Sequence, residues 1–175
     1  MSFREMRRKA QQLSEEECLC LLEAGRTAVL ALHTDTGWPY AVPVNYVFHE
    51  GAIFFHGAKT GLKADALRND ERVSLCVIGQ DELRSEELTT CFRSVIIFGR
   101  ARILEQDDEI RDAAMALGLR FCPDGEKVEE EIRREWPALC CVKITIDHMS
   151  GKEAIELTRM RRRDQGGTTG FILKF

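Results

Sequence analysis

Gly57, Thr60, Gly61 and Lys63 fall within one short stretch, Gly-Ala-Lys-Thr-Gly-Leu-Lys, between an apolar run and a helical one. Such a turn aims backbone N–H groups outward at the positive end of a helix. A mobile ammonium stands beside them, and the combination suits a phosphate. The spacing is not that of a nucleoside-triphosphate loop, which needs four residues between its glycines and a Lys-Ser/Thr pair. Gly-x-Gly-x-x-Gly is absent too. No nucleophile or metal-ligand set stands beside the turn. The chemistry expected is that of a phosphate-bearing cofactor bringing its own reactivity.

Other polar residues punctuate apolar runs. His56 ends the run that leads into the turn and could bond a ligand or act near a reacting group. Asn45 and Tyr46 follow Pro43, where freed backbone groups could bond a flat heterocycle. Arg93 and Ser94 open the run Val95–Phe98. His148, Ser150, Gly151, Lys152 and Glu153 close the last strand, and His-Met-Ser-Gly-Lys reads as a loop over a pocket. Each has a plain alternative: a structural histidine, strand residues on a barrel exterior, a rim position and an ordinary turn. The seven cysteines show no C-x-x-C and no paired Cys/His zinc spacing. Their odd number argues against a disulfide framework, and Cys76, Cys140 and Cys141 read as small hydrophobes.

The elements that must position these groups follow from periodicity. Ser14 and Glu17 form a capping box for a helix ending near Ala24, with Gly25 as its stop. Strands are expected at 26–33, 40–48, 52–56, 72–79, 92–104 and 139–147. Pro43 predicts an edge or a bulge in the second. A helix is expected at 60–68, and a pair at 107–119 and 126–136. Residues 80–90 read as a polar loop and 151–158 as a short last segment. Six strands joined by hairpins, with helices inserted, predict a mainly β antiparallel barrel, closed or partly closed. Residues 1–12 read as a flexible arm, 13–158 as the domain and 159–175 as a C-terminal tail.

The 175 residues suffice for one domain with a substantial core. A net charge of −4 opposes non-specific nucleic-acid binding. The charged start does not resemble a signal peptide, and no apolar run approaches the roughly 20 residues of a membrane span. The expectation is a cytoplasmic protein with no nucleic-acid or membrane partner.

Taken in order, GRTAVLAL, YAVPVNYV, FFHGAKTGLKADAL, DERVSLCVIG, FRSVIIFGRARIL and HMSGKEAIEL resemble the pyridoxamine 5′-phosphate oxidase-like, FMN-binding split-barrel superfamily. Within it they look most like the nitroimidazole-resistance proteins. The resemblance covers about residues 13–157. It implies a six-stranded split barrel and a homodimer with two FMN sites at the subunit interface. The family's Arg-Lys pair for the FMN phosphate falls on Leu62 and Lys63, so the lysine is kept and the arginine lost. Phe55, His56, Gly57 and Gly61 match the phosphate side. Val42, Pro43, Val44, Asn45 and Tyr46 match the strand along the isoalloxazine. Ser94 matches a position near the flavin, and Lys152 belongs to the closing loop. His56 is the candidate catalytic residue. The implied function is an FMN-dependent oxidoreductase that takes hydride from NAD(P)H and reduces a small acceptor, nitroaromatics included. The alternatives are a non-catalytic flavin-binding or sensing module, or a barrel binding haem or deazaflavin.

Overall fold

Thr27–His33 alternates strictly, with Ala28, Leu30 and Leu32 buried and Val29 facing out. That alternation is what a half-buried strand requires, and it recurs around the sheet. The computed structural model describes residues 3–166. Its elements are α1 (Glu15–Ala24), β1 (Thr27–His33), β2 (Pro39–Asn45), β3 (Val47–His49), β4 (Ala52–Ala58), α2 (Leu62–Asn69), β5 (Arg72–Arg84), β6 (Thr89–Ile103), α3 (Asp107–Phe121), α4 (Gly125–Glu135), β7 (Leu139–Glu153) and α5 (Ile155–Gly166). The strands form one antiparallel sheet in the order β2-β1-β5-β6-β7-β4-β3.

The two outer strands, β2 and β3, are consecutive in sequence and separated only by Tyr46. A single residue cannot cross a flat seven-stranded sheet. The sheet therefore curls until its edges approach, giving a mainly β split barrel rather than a closed one. This corrects the six-strand expectation: the run 40–48 is two strands, because the chain changes edge at Tyr46. The Tyr46 side chain is fully buried at that corner. Its hydroxyl donates to the Leu22 carbonyl at 2.8 Å, and its N–H to that of Arg26. Pro43 lies on the edge strand opposite Val29, in a regular register without a bulge, where its missing N–H costs no ladder bond.

The inner face collects Leu22, Leu30, Ile53, Phe55, Leu75, Val77, Val95, Ile97 and Ile144 into the main core. Helix α1 closes one end, and its capping box is present with both reciprocal bonds. Helices α3 and α4 pack together over β4 and β7 around a second cluster that includes Leu104, Ala114, Val128, Ile132 and Cys141.

Three further boundaries differ from the sequence reading. Residues 80–90 are not a loop: β5 and β6 continue as a two-stranded ribbon, turned by Ser85–Glu87 with Leu88 in the left-handed region. Residues 148–153 are strand, not loop. Gly151 is there because Cys18 and Leu13 pack directly over it, leaving no room for a Cβ. At the chain ends, Phe3 stacks on His148 at 4.7 Å, Gln11 is buried, and α5 carries the chain as helix through the first part of 159–175. The remainder, 167–175, lies outside the described residues. No helix among the described residues is long and apolar enough to cross a membrane.

Candidate functional site

The glycine turn keeps its expected place between β4 and α2, but the helix starts at Leu62, later than expected. Gly61 is its N-cap, at φ 108°, a conformation that disfavours any residue with a Cβ. Glycine has no side chain to bond the first-turn N–H groups, so these donors are left for an outside acceptor. Lys63 folds back over the turn. A Cβ added at Gly57 would lie 2.9 Å from its Nζ, and the ammonium sits 5.5 Å from the centre of the Phe55 ring. Among the described residues Lys63 has no carboxylate partner.

The neighbouring cations are already engaged. Lys59 donates to the Pro137 carbonyl at 2.7 Å. Arg68 donates to the Lys59 carbonyl at 2.6 Å and pairs with Asp65 at 3.2 Å. They shape the turn, while Leu62 is half-exposed and brings no charge. A phosphate would therefore meet free N–H groups and one ammonium. The residues present fit the phosphate end of a flavin nucleotide, without the family's second cation.

His56 points out of β4 beside Gly57. Partial burial, and then the Lys63 ammonium, hold its imidazole below the usual range. It is therefore neutral near pH 7, with a ring nitrogen free to accept a proton. Along β2 the side chains divide. Val44 is buried and Val42 half-buried toward the core, while Pro43 and Asn45 face outward. The Asn45 Oδ1 accepts from the Thr27 hydroxyl at 3.0 Å. Tyr46 is spent on the corner, and burial pushes its phenol up to about 12.

Ser94 and Lys152 are brought together, as register partners on β6 and β7, but far from His56. His56 pairs with Cys141 on the same strand β7. Eleven positions at about 3.3 Å each separate Cys141 from Lys152, up to roughly 36 Å. Within one chain these two groups of expected site residues therefore stand at opposite ends of β7. Beside Ser94 and Lys152 lies Glu153, which the sequence groups with the closing segment without marking it as buried. Glu153 is fully buried, 2.9 Å from Arg161 of α5 and 3.4 Å from Arg93. Arg161 also pairs with Glu17 at 3.0 Å. The cluster ties α1, β6, β7 and α5 together, and only a buried position could distinguish Glu153 from the chain's many surface acids.

A cleft of about 810 Å³ opens between β4 and the α3–α4 pair. Its sheet side is Asn45, His56, Gly57 and Ala58. Its helix side includes Leu117, Phe121, Val128 and Ile132, with Lys127, Glu131 and Glu135 at the rim. Gly118 lets α3 and α4 approach, since a Cβ there would collide with Val128. Arg120 fastens α3 by donating to the carbonyls of Glu23, Ala24 and Gly25 at the end of α1. Sequence reading missed these helical residues because an apolar helix stripe facing a cavity looks the same as one facing core.

An open seven-stranded barrel with a glycine-lysine turn after its fourth strand defines a class of cofactor-binding split barrels. The model of the pyridoxamine 5′-phosphate oxidase family matches residues 14–153, and the chain belongs to that family. No curated protein sequence matches it. Among solved structures it is similar to an FAD-binding protein from Mesorhizobium loti, with 25% identity, TM-score 0.59, and 82% of this chain and 97% of that one covered. It is also similar to an FAD and haem binding protein from Mycobacterium smegmatis, with 24% identity, TM-score 0.68, and coverage of 94% and 89%. A third is a candidate 5-nitroimidazole antibiotic resistance protein from Bacteroides thetaiotaomicron, with 17% identity, TM-score 0.66, and coverage of 81% and 86%.

Proposed function

We propose that the protein is a flavin-dependent oxidoreductase, with FMN as cofactor, that reduces a small acceptor such as a nitroaromatic at the expense of NAD(P)H. The observation that carries this reading is the uncapped start of α2 with Lys63 folded over Gly57. It offers a phosphate both a helix terminus and a charge. The family membership and the relatives named for FAD and for nitroimidazole resistance support it.

When bound, the flavin supplies the hydride and electron chemistry. The chain's residues bind, orient and shield it. Lys63 and the first-turn N–H groups of α2 hold the phosphate. The free edge of β2, from Val42 to Asn45, offers backbone groups to the ring. His56, neutral at pH 7, accepts or returns a proton at a ring nitrogen.

The site is shared between two copies of the chain in this reading. The outward face of β1, β5 and β6 supports this, for it carries Val29, Ile78, Ile96 and Phe98 where a solvated face would be polar. In this reading Ser94 and Lys152 of one copy face the turn of the other.

The test is a visible spectrum after incubation with FMN and desalting. Retained flavin, bleached by NAD(P)H and reoxidised by an acceptor, is the expected result. Bound flavin that never turns over would make the protein a flavin-binding module. Preference for FAD over FMN would place it with the FAD-named relatives. A Soret band without flavin would move it to haem.

A further inference from the structure

Leu88, at the free end of the β5–β6 ribbon, is unfavourable there on two counts. Its backbone lies in the left-handed region at φ 48°, which glycine or asparagine adopts at less cost. Its side chain is also 93% exposed, and Leu83 at the same end of the ribbon is 73% exposed. A solvated tip needs neither leucine, and burial against another surface offsets both costs. The root of the ribbon is fixed. Cys91 is fully buried with Ala154 and Leu157, and the Lys152 Nζ sits 5.4 Å from the centre of the Phe92 ring.

We propose that this tip is a finger, and that it seats Leu83 and Leu88 in the cleft between β4 and the α3–α4 pair of a second copy of the chain. The inference rests on the reading above in which two copies share the site. The ribbon leaves the sheet where Ile78 pairs with Ser94, and a register shift there re-aims it. From Gln80 to Arg84 it extends about 17 Å. With Ser94 of one copy facing the turn of the other, the ribbon beyond Ser94 overhangs what borders that turn. His56, Gly57 and Ala58 end β4 beside the turn and form one wall of the cleft. Leu117, Phe121, Val128 and Ile132 line the other wall, an apolar seat for two leucines. The contact is apolar rather than ionic. The ribbon carries Asp81, Glu82, Glu86 and Glu87, with Arg84 3.7 Å from both Glu82 and Glu87. At the cleft mouth Lys63, Lys127 and Arg134 balance Asp124, Glu131 and Glu135. Charge there neither draws the tip in nor keeps it out. A seated tip closes the cleft over His56 and excludes water from it, so each site is complete only in the pair.

Two experiments on the full-length protein test this. Leu83→Thr with Leu88→Asn keeps a strand former in the strand and suits the left-handed position. Far-UV circular dichroism should be unchanged, and the melting temperature in dilute solution no lower than that of the unsubstituted chain. The dimer, followed by sedimentation equilibrium, and FMN affinity, followed by fluorescence, should each weaken about tenfold. Ala138 lines the cleft and is exposed. Leu88→Cys with Ala138→Cys, mildly oxidised in a mixture of isotopically light and heavy protein, should therefore link position 88 of one copy to position 138 of another, as read by mass spectrometry. A dimer of unchanged affinity in the first variant, or a dimer without that link in the second, would overturn the finger and leave the shared site standing. A link formed within one chain would also overturn it. A chain that stays monomeric at every concentration fails both readings, and a dimer that holds no flavin fails the proposed function alone, since the dimer affinity and the link still decide where the tip sits.

Discussion

In the proposed site Lys63 is the residue on which cofactor affinity should turn, because Leu62 offers no charge and Lys59 and Arg68 are engaged elsewhere. A charge-assisted hydrogen bond contributes about 1.5–3 kcal/mol. Lys63→Ala should therefore weaken FMN by about ten- to a hundredfold while leaving the far-UV circular dichroism unchanged. Fluorescence titration measures it, and an unchanged affinity would remove Lys63 from the site. His56 should titrate below 6.5, the ordinary histidine value, when followed by NMR. Lys63→Ala should move that titration part of the way back, because one of its two causes is gone. The sign for stability follows from the same shift. Above 6.5 the imidazole is neutral in both folded and unfolded chains and contributes nothing. As pH falls below 6.5 the unfolded chain takes up the proton first, so stability falls. His56→Ala should flatten that part of the stability curve.

At the scale of elements, two contacts set where the helices lie. The Ser14–Glu17 box starts α1, and Ser14→Ala should cost about 1 kcal/mol in urea denaturation. Gly118 holds α3 against α4. Gly118→Ala should cost about 1–3 kcal/mol, because its methyl has to displace Val128. An unchanged midpoint for Gly118→Ala would mean that the pair can separate without loss. The elements read correctly from sequence are those with one buried face: Thr27–His33 by its alternation, α1 by its cap. The ribbon beyond Ile78 was illegible because little of it is buried. Leu83 and Leu88 at its tip are exposed, and only Cys91 and Phe92 pack it against Ala154 and Leu157, too few apolar positions to show a strand period. Residues 148–153 were misread for the opposite reason. Gly151 looked like a turn and is a point of close packing against α1.

At the scale of the whole molecule, the outward apolar face and the proposed sharing of the site between two copies make one prediction. Sedimentation should show a dimer, and Ile78→Glu with Phe98→Glu should yield folded monomers that lose flavin. Both residues are exposed in the single chain, so the substitutions leave the core intact. Monomers that keep full flavin affinity would exclude an interface site.

Local chemistry was enough to write down the glycine-lysine turn, the histidine beside it, the capped first helix and most strands. Each depends on neighbours in sequence: a backbone angle, a helix terminus, a repeat of two. The ordered segments also carried the family. What required the tertiary structure was every relation between distant residues. That the Tyr46 side chain closes a buried corner follows from the curl of the sheet. That Glu153 is a buried anion follows from where α5 docks. That Ser94 and Lys152 lie far from His56 follows from strand register, which pairs residues by hydrogen bonding across the sheet and leaves no mark on either strand alone.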